Sequence, residues 1–331
     1  MAAKRKRAFI GLLVIFYLIA ALLPLLAFCS AREEPEEAAP ETSQQSPAGS
    51  AVEQTGIFRI EDADGEILEV EDSEFVKGGI AAEVPPSWEP EALKAQGVAL
   101  YTYYSRLREQ NRAKGGDGAD FTCNTEKALV YLPQEARKER WGENYETWEA
   151  ALAETEKSIR GQTLQQDGAL LCSTYFAISS GSTDAAQDVW GGEYSYLQPA
   201  ASPGDVFAEG YLSSKPMTEA AVKEALLKAF PNAQLGDEPE SWITEVERTG
   251  SGTIRKARAG GEEATGTQLR STFGLRSANF TWKRQDGKFI FTVKGWGHNV
   301  GMSQNGAQYM AKNGASYQEI LAWYYPGSQL V

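Results

Sequence analysis

From residue 57 the chain alternates apolar and polar positions on both sides of Asp64-Gly65, in IFRIEDADGEILEV. That dipeptide suits a tight turn, so the pattern predicts a β-hairpin over 57–70. The period then lengthens. Phe75, Val76 and Ile80 recur at helical spacing, and the pattern stops at Pro85-Pro86, where a helix cannot continue. Pro90, a favoured first-turn residue, opens a second predicted helix with Leu93, Gly97, Leu100, Tyr104 and Leu107 on its apolar face and Lys94 on a neighbouring one. Tyr145, Trp148, Leu152, Thr155 and Ile159 mark another. TLQQDGALLCSTYF, residues 163–176, reads as two strands joined at Asp167-Gly168, and the Gly- and Ser-rich stretch 177–198 as a long functional loop. Beyond it the pattern predicts a helix over 218–230, strands over 243–248, 279–284 and 288–293, and helices over 303–312 and 316–324. No regular βαβ repeat occurs, which makes the fold class α+β, with mixed helices and antiparallel strands.

The N-terminus follows another pattern. Ala8 to Phe28 is apolar and uncharged, long enough at ~1.5 Å per residue to cross ~30 Å of hydrocarbon. Lys4, Arg5, Lys6 and Arg7 precede it and keep that end cytoplasmic. The reading is a basic tail over 1–7, a transmembrane anchor over 8–28, and everything beyond it outside the membrane: a single-pass protein of the cell membrane. A cleaved signal peptide begins similarly, but its apolar core normally runs only ~7–15 residues. The bulky Phe28 before Cys29 argues against a lipoprotein cleavage site. Residues 29–56 shift to Glu, Ala, Pro, Ser and Gln, too poor in large apolar side chains to offset the entropy of ordering, and read as a disordered acidic linker. Residues 57–331 remain as the extracytoplasmic domain.

The charge narrows its partners. The chain carries −13 overall, and −17 once the four N-terminal cations are set aside. Phosphate backbones and anionic lipid heads would be repelled, which excludes nucleic acid as a partner. A hydroxyl-rich substrate fits better, with Trp88, Trp190 and Trp296 offering apolar faces for sugar rings. Cys123 and Cys172 allow at most one disulfide, and spacing leaves their pairing open. One histidine and two cysteines are too few for a closed tetrahedral zinc site, and no cofactor motif occurs.

Among the carboxylates Glu83 stands out, flanked by Ile80-Ala81-Ala82 and Val84-Pro85-Pro86. A carboxyl seated against apolar neighbours has its ionised form disfavoured and can carry a proton at neutral pH, as a general acid must. A helix-terminal carboxylate bonded to backbone amides fits the same position. His298, the only histidine, lies in the glycine-rich GWGHNVGMSQNGA and reads as a hydrogen-bonded structural group. Ser303 lacks the Gly-x-Ser-x-Gly turn of a serine hydrolase.

Four stretches, EFVKGGIAAEVPPSWEPEALKAQGVA, AISSGSTDAAQDVWGGEYSYL, GTQLRSTFGLRSANFTW and GWGHNVGMSQNGAQYMAKNGASYQEILAWYYPGSQL, resemble in that order the stage II sporulation protein D family. The resemblance implies a substrate groove and a lytic transglycosylase of peptidoglycan acting in endospore engulfment, in the space between the two membranes of a sporulating cell. A related branch enhances cell-wall amidases. It puts the catalytic acid on Glu83 and gives Lys94, Tyr196, Trp190, Ser180, His298, Ser303 and Gln304 to the substrate-binding groove. It also implies peptidoglycan glycan strands as substrate, a membrane complex with an amidase and a membrane protein, stage II sporulation proteins P and M, as partners, and no cofactor.

The chain departs from the family pattern at several positions. Asn299 replaces a usual glycine, Tyr101 occupies an arginine position and so implies a lost cationic substrate contact, Ala177 stands where histidine is common, and the His-Cys pair of metal-binding members is missing near Cys123. One carboxyl suffices for the implied reaction, because the muramic C6 hydroxyl can be the nucleophile, whereas ordinary glycosidases need two acids. The alternative of another class is a non-catalytic wall-binding module that stimulates an amidase.

Overall fold

The hairpin at Asp64-Gly65 forms as two antiparallel strands, Ile57–Glu61 and Ile67–Glu71, with Gly65 at φ 82° and the Asp62 carboxylate accepting from the Asp64 and Glu66 amides at 2.9 and 3.0 Å. The computed structural model describes residues 56–62, 64–115, 118–123 and 129–331. The predicted basic tail, the membrane anchor, Cys29 and the linker up to residue 55 lie outside the described residues. Among the described residues no helix is long and apolar enough to cross a membrane.

Helix α1, Asp72–Glu83, follows the hairpin directly. It ends where predicted because Val84 precedes a proline and takes extended backbone, φ −135°, ψ 154°, which avoids the clash between a proline ring and a helical neighbour. Helix α2, Pro90–Ala113, starts on its proline and runs for 24 residues. Helices α3, Gln134–Trp141, and α4, Tyr145–Ile159, complete the helical layer packed against the hairpin. Phe58, Phe75, Ile80, Leu100 and Leu152 are fully buried between these elements.

The segment 163–176 differs from its prediction. Only 164–166 and 169–170 form the hairpin; Tyr175–Phe176 separates from it and pairs in parallel with Met302–Ser303. The long loop after it holds one short helix, α5, Ala186–Val189.

Residues 212–293 build a second core between that loop and the glycine-rich motif. One sheet orders 280–285, 288–294 and 212–218; the other orders 262–265, 254–259 and 243–248. Helices α6, Glu219–Ala229, and α7, Gly266–Phe273, cover them, α7 starting on a capping box of Thr265 and Gln268. Phe273, Phe280, Phe289 and Phe291 are each at most 1% exposed, a burial that contributes roughly 1.5–3 kcal/mol per ring. Strand 212–218, LSSKPMT, carries no apolar alternation and contains Pro216; it is an edge strand, where a missing N–H costs nothing. The chain then returns to the first core through α8, Gln304–Lys312, and α9, Tyr317–Tyr324, which pack on α2. The fold is α+β.

Cys123 and Cys172 are both buried, and no disulfide joins them to each other. Burial and the nearby Asp62 push the Cys123 thiol up to about 12. A thiol held protonated in this way is a poor metal ligand, and among the described residues no group of His, Cys, Asp and Glu is arranged to hold a metal ion.

Candidate active site

Glu83 is the last residue of α1, half-buried, directly before Val84, Pro85 and Pro86. Its Oε2 accepts from the Nε2 amide of Gln304 at 3.1 Å, across 221 positions of sequence. Gln304 is the first residue of α8, and the helix places Gln308 one turn further on the same face, where its Oε1 accepts from the Glu89 amide at 3.0 Å. Two glutamines therefore clamp both ends of the 83–89 connection, and the acid is oriented by a neutral donor 6% exposed.

The start of α8 is itself held from below. Ser303 caps the helix, accepting from the Gly306 amide at 3.2 Å, and donates to Oδ1 of Asp205 at 2.8 Å. Asp205 is fully buried and its Oδ2 also accepts from the Ser179 amide at 3.1 Å. Desolvation raises its pKa, against the lowering effect of the hydrogen bonds from Ser179, Ser202 and Ser303. Tyr324 of α9 closes the group through Ser202, the two hydroxyl oxygens 2.6 Å apart.

His298 lies on the glycine-rich segment that leads into α8, half-buried. The Val300 amide donates to its Nδ1 at 3.1 Å, so Nδ1 is the acceptor and the ring proton sits on Nε2, which faces the Tyr175 carbonyl at 3.0 Å. Both nitrogens are engaged by backbone, so the ring is positioned rather than poised to exchange protons. Its faces meet Phe176 at 5.2 Å and Trp190 at 5.0 Å. The strand beside it fits only because Gly301, at φ 82°, lacks a side chain: a Cβ there would lie 2.0 Å from the Thr174 carbonyl oxygen. Asn299, where the family pattern has glycine, keeps the left-handed backbone at φ 70° and uses its side chain, donating to Asp184 at 2.7 Å and to the Ser182 carbonyl at 3.0 Å. Asparagine tolerates that conformation better than other side chains.

The other predicted residues divide. Ser180 lies on this network, its amide donating to Asn299 Oδ1 at 3.3 Å. Trp190 follows α5 as its C-terminal cap, and among the described residues its buried indole N–H meets no acceptor. Lys94 pairs with Glu91 at 2.6 Å and lies 5.8 Å from the ring of Tyr317, at the start of α9. Tyr196 is buried, and its hydroxyl accepts from the Cys172 amide at 2.9 Å. Asn305 donates to the Ala177 carbonyl through both its amide, 3.1 Å, and its side chain, 2.9 Å, so that position serves the site by backbone.

Tyr101 corrects the expectation of a lost substrate contact. Its hydroxyl donates to Asp72 at 2.7 Å, and burial together with Asp72 pushes it up to about 12. Asp72 begins the 12-residue α1 that Glu83 ends, so the two lie about 16 Å apart along the helix. Tyr101 therefore belongs to the packing at the far end of that helix. Asp205, Asp184 and Gln308 were not singled out from sequence. Asp205 sits in the turn SPGDVF, and nothing linear ties that turn to Ser303.

A family model described as stage II sporulation protein matches residues 62–160. The chain is 31% identical to the stage II sporulation protein D of Bacillus subtilis (strain 168), over 90% of this chain and 83% of that protein. It is 32% identical to that of Bacillus amyloliquefaciens, over 86% and 79%. It is also 26% identical to an amidase enhancer of Bacillus subtilis, over 77% of this chain and 40% of that protein.

Proposed function

Because the chain belongs to the stage II sporulation protein D family, we propose that it is a membrane-anchored lytic transglycosylase that cleaves peptidoglycan glycan strands with Glu83 as acid and then base. The observation that supports it is the oriented carboxyl: a single half-buried Glu at a helix end, held at 3.1 Å by the first residue of the helix that follows the glycine-rich motif.

The reaction needs one such group. Glu83 gives its proton to the glycosidic oxygen as the C1–O bond breaks, leaving an oxocarbenium-like muramic sugar and a Glu83 carboxylate. That carboxylate then takes the proton of the sugar's C6 hydroxyl while O6 closes on C1. The product is a 1,6-anhydro ring, no water is added, and Glu83 ends protonated as it began. His298 and Trp190 supply ring faces, Ser180, Ser303 and Gln304 hold the backbone and the acid in place, and Lys94, paired with Glu91, and Tyr196, bonded to the Cys172 amide, are the further residues that the family resemblance gives to the substrate. The acidic domain works outside the membrane, between the two membranes of a sporulating cell, beside an amidase and a membrane protein.

The test is mass spectrometry of peptidoglycan strands incubated with the protein and with its Glu83→Gln variant. Anhydromuramyl ends should form with the first and fall by ~10²–10⁴-fold with the second, the usual contribution of a general acid. A Glu83→Gln protein of full activity ends the assignment. The similarity to an amidase enhancer supports a second reading, a wall-binding module that stimulates an amidase. It predicts strand binding without cleavage by either protein.

A further inference from the structure

Arg276 and Trp296 form a feature that the single-acid reaction does not use. The guanidinium carbon of Arg276 lies 4.2 Å from the centre of the Trp296 ring. Both residues are half-buried and both backbones are pinned. Trp296 exchanges two hydrogen bonds with Ile178, at 2.7 and 2.9 Å, and the Arg276 carbonyl accepts from the Gly297 amide at 2.9 Å. On the other side the chain passes so close at Gly210 that a Cβ there would lie 2.9 Å from Nη1 of Arg276. Ring and backbone thus hold the guanidinium in place. Among the described residues no carboxylate pairs with it, whereas the more deeply buried Arg108 and Arg137 are bonded to Asp72 and to Glu74 and Glu149.

The surroundings point to a glycan. Trp296 stands two residues before His298. Three residues before Gly210, Phe207 is 78% exposed and stacks at 6.1 Å on Tyr309, which belongs to the same helix as Gln304. An aromatic ring on the glycine-rich segment that carries His298 thus holds one fixed cation that no carboxylate pairs among the described residues, and the stacked pair Phe207 and Tyr309 lies close in the chain to Gly210 and Gln304. A stacked guanidinium keeps its planar fork of N–H donors, the geometry that matches a carboxylate. Elsewhere the net charge of −13 repels anions.

We propose that Arg276, held over Trp296, recognises a carboxylate carried by the glycan strand. The inference rests on the glycan reading above and deepens it. Two sources share this chemistry: the lactyl carboxylate of a muramic residue without its peptide, and a carboxylate of an attached stem peptide.

The experiment measures binding of the full chain in the Glu83→Gln background, which does not consume the strands, with and without Arg276→Gln. The probes are peptide-free strands, the same strands with their carboxylates amidated, peptide-bearing strands, and neutral chitin oligosaccharides. Arg276→Gln should weaken binding to one carboxylated probe by roughly tenfold, the size of one charge-assisted hydrogen bond, and flatten its salt dependence. The amidated and neutral probes should bind both proteins alike. Loss confined to peptide-free strands identifies the lactyl carboxylate; loss confined to peptide-bearing strands identifies the peptide. Equal affinities for all probes, or an equal loss on all of them, overturn the proposal while leaving the glycan reading intact. If no strand binds either protein, the glycan reading fails and takes this one with it.

Discussion

Removing the acceptors under the first turn of α8 should loosen the turn that holds the acid. Asp205→Ala leaves the Ser303 hydroxyl and the Ser179 amide, bonded to it at 2.8 and 3.1 Å, without partners in a region where Asp205 itself is 0% exposed. Each orphaned buried donor costs about 1–3 kcal/mol. Part of that is offset, because the substitution also removes a carboxyl whose ionised form burial already disfavours. The net loss should be about 2–4 kcal/mol, or a fall in Tm of roughly 5–15 °C for a domain of this size. Thermal unfolding followed by circular dichroism measures it, and strand cleavage at a temperature where both proteins are folded should drop as Gln304 loses its fixed position. The pH dependence supplies a second readout. Asp205 has its folded pKa raised above the unfolded value, so the folded state binds the proton more tightly. The stability this contributes is fully present below the unfolded pKa and is lost as pH rises through the folded one. Acidification through that window should stabilise the wild type relative to Asp205→Ala. A variant within ~0.5 kcal/mol of wild type, the scatter of an ordinary surface change, would refute the argument.

Gly301→Ala places a Cβ 2.0 Å from the Thr174 carbonyl at φ 82° and should cost more than ~3 kcal/mol, read as lost soluble yield or a lowered denaturant midpoint. Tyr101→Phe removes the 2.7 Å bond to Asp72, which keeps Arg108; stability should fall by about 1–2 kcal/mol in urea titrations while cleavage stays unchanged, and a large loss of cleavage would show that this position does serve the substrate. His298→Phe keeps an aromatic face but gives up two backbone partners, so binding should weaken while the inflections of the pH–rate profile stay where they are; a vanished inflection would make the imidazole a proton donor or acceptor after all.

The local elements were legible in the chain because short-range chemistry decides them. Asp64-Gly65 turns the hairpin, Pro85-Pro86 stops α1 with Glu83 as its last residue, Pro90 opens α2, and the glycine-rich motif leads into α8. Those signals, with the apolar neighbours of Glu83, made it a candidate acid, and the resemblance to the family chose it over a helix-terminal structural carboxylate. The partners of that acid were not legible, because they come from pairings over long separations. Gln304 reaches Glu83 across 221 positions and Asp205 reaches Ser303 across 98, and no periodicity or turn residue encodes either meeting. The same limit applies to strand 212–218, whose polar sequence with Pro216 becomes a strand only because the already apolar 288–294 offers it an edge. Tyr101 makes the point in reverse: its helix was predicted, but only packing decides that its hydroxyl turns to Asp72, at the opposite end of α1 from Glu83. Sequence alone determined which residues can curl, turn and carry a proton locally; tertiary structure decided which of them meet, because burial selects contacts by complementarity of shape and hydrogen bonding across the whole chain.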